Sequence, residues 1–192
     1  MIDSWSVVLG GAVTGAIGWF ITWHKDYRFL KRQIRLFKKA IVDDLKKSVL
    51  LYNKVKDEWN KSSTVWFVTL DEIVASRRIY EKYNDHVLNL PDNIRDRITD
   101  YYLQSANIIA GLKIQQARKY ELDNIYNRLY RDASILYPNF GSEELNSYVL
   151  TIMANEVQEY NYLNDNLPKT VTELDNLRNE ASRILDLKVL EK

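Results

Sequence analysis

Nineteen consecutive residues, Trp5 to Trp23, carry no charge, and after them charged and apolar positions intermix at helical spacing. As a helix the uncharged run would measure roughly 28 Å at ~1.5 Å per residue, close to the hydrocarbon thickness of a bilayer. Trp5 sits at one end and Trp19 and Trp23 at the other, where amphipathic rings favour the membrane–water boundary. A signal peptide opens with positive charge, whereas here only Asp3 precedes the run. The pattern therefore predicts a transmembrane helix over residues 1–24.

No Gly or Pro occurs between Gly18 and Pro91, so that helix need not stop at the bilayer. Leu30, Ile34, Phe37, Ile41, Leu45, Tyr52, Val55 and Trp59 recur about once per turn, with Ser48 as one gap. This stripe predicts a helical stalk over about 26–60, ended by Asn60-Lys61-Ser62-Ser63. Val65-Trp66-Phe67-Val68 reads as a short strand or a buried loop. Thr69 and Glu72 fit a capping box that opens a helix running to about Asn84, and Pro91 suits the first turn of the next. Helical spacing then continues to Leu136, with Gly111 as a point of bending or division. Pro138-Asn-Phe-Gly-Ser142 is a turn. A helix carrying Leu145, Val149, Ile152, Val157, Tyr160 and Leu163 is expected to end before Pro168, and a second capping box, Thr170 with Glu173, to open the last one. The expected fold is all-α: a transmembrane helix (1–24), a basic juxtamembrane collar and helical stalk (25–62), and a cytosolic helical bundle (63–192).

Composition narrows the function. With 27 Lys+Arg against 26 Asp+Glu the net charge is +1, which excludes a wholly basic nucleic-acid coat or an acidic disordered tail. The absence of cysteine removes disulfides, thiolate metal sites and thiol nucleophiles, and two histidines, His24 and His86, cannot build a multi-histidine metal centre. The phosphate-loop, dinucleotide, zincin and nucleophile-elbow signatures are all missing. Adjacent acids at Asp43-Asp44, Asp71-Glu72 and Glu143-Glu144 point to different sides of a helix, and the last two pairs fall at expected helix starts, where the macrodipole favours them. The reading is of a non-enzyme with no catalytic residue, no cofactor, no metal and no small-molecule substrate.

Charge is nevertheless distributed unevenly. Lys25, Arg28, Lys31, Arg32, Arg35, Lys38 and Lys39 follow the uncharged run, opposed only by Asp26. The positive-inside rule puts this collar, and everything after it, in the cytoplasm, with the N-terminus outside. A single-pass protein of the bacterial inner membrane is expected, its partners the lipid bilayer and, through the collar, anionic headgroups. Within the span, Ser4, Val8, Gly11, Gly15, Gly18 and Thr22 succeed one another at steps of four and three. Such a face lets helix backbones approach closely. Ser4, Gly11, Gly15, Gly18 and Thr22 are the candidate seam or pore lining of a homo-oligomer.

Thirteen tyrosines are many for this length, and several stand beside cations: Arg77-Arg78 before Tyr80, Arg118-Lys119 before Tyr120, and Arg128 and Arg131 around Tyr130. Tyrosine offers a stacking face and arginine a planar donor fork for phosphate. Arg77, Arg78, Arg118, Lys119, Arg128 and Arg131 are accordingly the candidate site for a nucleotide or single-stranded oligonucleotide signal. Against this stands a solvated helix face with half-buried tyrosines.

The glycine-striped span, the basic collar and the helical cytosolic domain resemble, in plan, the small membrane effectors of bacterial antiviral defence. The channel effector of Hailong-type systems, gated by single-stranded DNA, is similar in layout. The resemblance covers the whole chain as architecture, and no motif carries a functional residue across. It implies a homo-oligomeric pore, with a tetramer as the expected form, held shut or opened by a cytosolic signal. The expectation is a single-pass effector that forms or gates an ion-conducting pore in antiviral defence. The alternative is a membrane-tethered helical scaffold that recruits a cytosolic protein partner.

Overall fold

The computed structural model describes the backbone over residues 4–187 and at 190, and side chains from residue 19 onward except at 79, 83 and 84. Six α-helices account for nearly all of it: α1 (Ser4–Ser62), α2 (Phe67–Ser76), α3 (Arg78–Tyr83), α4 (Asp92–Leu136), α5 (Ser142–Ile152) and α6 (Ala154–Leu185). A 3-10 turn over Asn84–Asn89 links α3 to α4, and no strand occurs among the described residues. The all-α expectation holds. Among the described residues no helix is long and apolar enough to cross a membrane; the side chains of 5–18, which make up most of the expected span, lie outside them.

The periodic stripe of α1 is what folds the domain. Phe37, Ile41, Leu45, Ser48, Tyr52 and Val55 are all buried, so the gap at Ser48 is a buried position too. Its hydroxyl lies 3.5 Å from that of Ser76, which supplies the partner a buried polar group requires. Towards the N-terminus the stripe runs out of neighbours: Leu30 is exposed. The C-terminal half of α1 is thus part of the bundle rather than a stalk beneath it, and a boundary at residue 62 would divide one core.

α6 packs antiparallel against both α1 and α4. Lys56 meets Asp175 at 3.2 Å and Arg178 reaches Asn53 at 3.0 Å, while Arg97 binds Glu180 and Arg118 binds Glu159. On the other side α2 and α3 close the gap between α1 and α4. The resulting core runs from Phe37 on α1 and Leu90 below α4 to Leu167, Leu174 and Ile184 on α6. A second, smaller core forms where α5 folds back on the far end of α4, around Ala133, Leu145, Val149 and Met153.

Several boundaries differ from the sequence expectations. α2 begins at Phe67, so Val65–Val68 is neither a strand nor a buried loop: Val65 is buried, and Trp66 to Val68 are exposed as the helix starts. Thr69 does not cap. Its hydroxyl donates to Glu58 Oε1 at 2.6 Å, and the other oxygen of that carboxylate accepts from the Trp66 N–H at 2.9 Å. A carboxylate from α1 therefore occupies the N-terminus of α2, where the helix dipole favours it. The expected helix to Asn84 is broken at Arg77. α4 runs uninterrupted through Gly111, and a Cβ there would meet nothing.

The helix expected to stop before Pro168 instead breaks at Met153 and then continues straight through the proline. Pro168 costs a backbone hydrogen bond and about 3 kcal/mol in a helix interior. It sits on the exposed side of α6, and buried Leu163, Leu167, Thr170, Val171 and Leu174 hold the helix on both sides of it. Thr170, the second expected cap, lies mid-helix and donates to Gln115 Oε1 at 3.1 Å.

Candidate functional site

Helix α1 is a single rod of 59 residues, or roughly 88 Å at ~1.5 Å per residue. It carries the uncharged run, the basic collar and the buried stripe without a break. Along its described lower part the large apolar side chains Trp19, Phe20, Trp23, Tyr27 and Phe29 are all at least half exposed. Their rings form a ladder: Trp19 stacks on Trp23 at 6.4 Å between centroids and Trp23 on Tyr27 at 5.9 Å. In water an isolated helix would not display such a band without a partner. Of the candidate seam, Ser4, Gly11, Gly15 and Gly18 lie outside the described side chains, and Thr22 stands in the exposed stretch.

The candidate nucleotide-binding cations do not assemble. Arg77 is buried, with Nη2 donating to the Tyr102 carbonyl at 3.0 Å. Arg118 lies sixteen residues further along α4 than Tyr102, roughly 24 Å away, and Arg131 twenty-nine residues, about 44 Å. Arg118 is also saturated. Nε and Nη2 grip the two oxygens of Glu159 at 2.8 and 2.7 Å, and Nη1 pairs with Glu121 at 2.7 Å. Glu159 first and Glu121 second raise its pKa, and Arg118 in turn lowers that of Glu159. Lys119 lies over the Tyr160 ring at 5.5 Å. Arg78, Arg128 and Arg131 are exposed, with Arg131 3.6 Å from Asp132. One residue of the six is core, one is neutralised twice over, and the rest are strung along two elements; the single phosphate-binding surface is not formed.

What the sequence reading missed lies inside. Asp44, on α1 one residue from the centre of the stripe, is buried where α1, α3 and α4 meet. Burial pushes its pKa up to about 6, partly offset by the Tyr80 backbone N–H, with Asp43 raising it and Lys47 and the Tyr102 hydroxyl lowering it. Tyr80 stacks on Tyr102 at 3.8 Å between ring centres, and Tyr101 meets Tyr102 edge-on at 5.1 Å. Tyr52 on α1 joins the Tyr101 hydroxyl at 3.1 Å and Ser105 Oγ at 2.9 Å. Asp44 Oδ2, Arg77 Nε and the Tyr102 hydroxyl are buried, and none of them has a hydrogen-bond partner within 3.5 Å among the described residues. Burial pushes the phenol pKa values of Tyr52, Tyr101 and Tyr102 upward. The signal was available: Asp44 stands three residues after Ile41 and four before Ser48, in phase with the buried stripe.

This polar seam couples the rod to the bundle and not to solvent. Its tyrosines are ordinary phenols at neutral pH, and among the described residues no group of acids and histidines could hold a metal ion. No family model matches the chain, and no curated protein and no solved structure matches it.

Proposed function

We propose that the chain is a single-pass membrane effector whose oligomerised N-terminal helices form or gate an ion-conducting pore under control of the helical domain. The observation that carries this reading is the continuity of α1 from Ser4 to Ser62. Its C-terminal half is locked into the core by Phe37, Ile41, Leu45 and Tyr52, so a shift of the bundle must turn or tilt the N-terminal half. The uncharged run Trp5–Trp23, the exposed ring ladder from Trp19 to Tyr27 and the collar from Lys25 support a membrane span with the bundle in the cytoplasm. The small-residue face through Gly11, Gly15 and Gly18 supports self-association within the bilayer.

Rotational register gives the test. One alanine inserted after Leu30, in an exposed stretch below the core, turns the small-residue face by ~100° relative to the bundle, whereas seven insertions nearly restore it. Cells expressing the native chain and the seven-residue variant should lose membrane potential, read with a voltage-sensitive dye. The one-residue variant should not. Gly15→Leu should silence the protein as well, while Ile17→Phe on the opposite side should be tolerated. Equal depolarisation by both insertion variants would remove the mechanical reading.

A second reading, a tethered scaffold with a protein partner, is favoured by one feature. Ile135, Leu136 and Ile152 expose more than half of their surface at the far end of the bundle. An expressed chain that never depolarises the cell, whatever its register, belongs to this reading.

A further inference from the structure

The basic collar extends further along α1 than lipid contact can use. Measured along α1 from Trp23, Lys25 and Arg28 lie within about 8 Å, but Arg35 is roughly 18 Å away and Lys39 about 24 Å. Attraction to a charged membrane surface decays over a Debye length of ~8 Å at physiological ionic strength. For a rod standing near the bilayer normal, as the proposed function has it, the outer cations are beyond the reach of headgroups.

These outer cations line a groove of about 690 Å³ between α1 and the C-terminal end of α6. Arg35, Lys38, Lys39 and Lys46 lie along it, and Asp186 is the one acid among its described lining residues. Asp186 and the roughly half-charge at the C-terminus of α6 do not cancel the three exposed cations Arg35, Lys39 and Lys46 among the described residues. Arg35, Lys39 and Lys46 are exposed, and none of them forms an ion pair among the described residues. Asp43, between Lys39 and Lys46 in the chain, is not part of the lining. The floor is apolar, from Leu36, Val42, Leu185 and Leu190. Concentrated cations around an apolar floor, at a volume typical of small-molecule sites, suit a ligand with several phosphates and a flat or sugar-like body.

We propose that this groove binds a soluble, phosphate-bearing ligand of nucleotide size, held by Arg35, Lys39 and Lys46. Such a ligand would bridge the rod and the end of α6, and so would fix the angle between them. The inference rests on the proposed function for the distance from the membrane and for the meaning of that angle. The binding itself is measured independently.

The test is calorimetric titration of the full chain, in a neutral detergent at low salt, with inorganic tripolyphosphate and with ATP. Both should bind, and ATP more tightly, because its base and sugar meet the apolar floor. Lys39→Glu combined with Lys46→Glu should weaken both at least tenfold with an unchanged circular dichroism spectrum and melting midpoint. Lys25→Gln with Arg28→Gln should leave both as they were. Adding phosphatidylserine to the micelles should not displace tripolyphosphate. Absence of binding, equal loss in the two double variants, or displacement by the anionic lipid would each overturn the proposal. The last outcome would assign the groove to headgroups instead. Binding can persist while the register test fails, and the reverse, so the two readings fall separately.

Discussion

The two cores of this domain are built on different terms. The core around Ile41, Leu45, Ile98, Leu112, Leu174 and Ile184 is shared by elements from both ends of the chain, and these six side chains are at most 2 % exposed. The far core has four buried residues, Ala133, Leu145, Val149 and Met153, and is bordered by the half-buried tyrosines Tyr126, Tyr130 and Tyr148. Free energy from burial scales with the apolar area withdrawn from water, so the far hairpin of α4 and α5 is the lesser unit and should open first. Yet the larger core is also where Asp44, Arg77 and Tyr102 sit with unmet polar atoms. Apolar burial there is large enough to carry a polar seam that the far core could not. The difference teaches that unmet polar groups sit where apolar burial is most extensive.

The sharpest way to break the comparison is truncation in the main core. Ile41→Ala should cost about 2–5 kcal/mol and lower the unfolding midpoint of the whole domain in a single transition. A loss confined to α1, detected by hydrogen exchange, would mean that the two cores do not unfold as ranked.

Next in size comes the buried acid. The folded pKa of Asp44, pushed up to about 6, exceeds the unfolded value, so the folded state holds its proton more tightly. Stability is therefore fully present below about pH 4, and is lost as pH rises through 6, by up to about 3 kcal/mol. Asp44→Asn should abolish that decline in denaturant titrations between pH 4 and 8. A wild-type profile that stays flat, or rises, across this window would show that the carboxylate is not desolvated.

The smallest effect is expected at the far core. Val149→Ala removes two methylene equivalents, about 1–2 kcal/mol at ~0.8 kcal/mol each. Amide exchange should quicken in α5 and at the end of α4 while α1 keeps its protection. Global destabilisation instead would merge the two cores into one cooperative unit.

The helical class, the stripe of α1 and the turn at Pro138–Ser142 are legible in the sequence because periodicity and turn chemistry are local. The helix limits at Phe67, Met153 and through Pro168 are not, and the reason is common to them. Thr69 and Thr170, each with a Glu three residues on, read as caps, but tertiary structure claims both hydroxyls, for Glu58 and for Gln115. Buried Leu163, Leu167 and Val171 likewise outweigh the proline between them. The candidate cations fail for a similar reason: Glu159, which neutralises Arg118, comes from another helix 41 residues away in the chain. Val65 is held by a reciprocal pair with the buried amide of Gln116, which accepts from its N–H at 3.0 Å and donates to its carbonyl. No local pattern announces a contact of that range.

The antiparallel pairing of α1 with α6 has a consequence for biosynthesis. Lys56 and its partner Asp175 are separated by 119 residues, and a ribosome adding ~5–20 residues per second takes roughly 6–24 seconds to supply the second after the first. During that interval the stripe of Phe37, Ile41, Leu45 and Val55 has been made and its principal cover has not. The earliest part of the domain to emerge is thus the last to be sheathed, and its apolar stripe stays without its principal cover until α6 arrives.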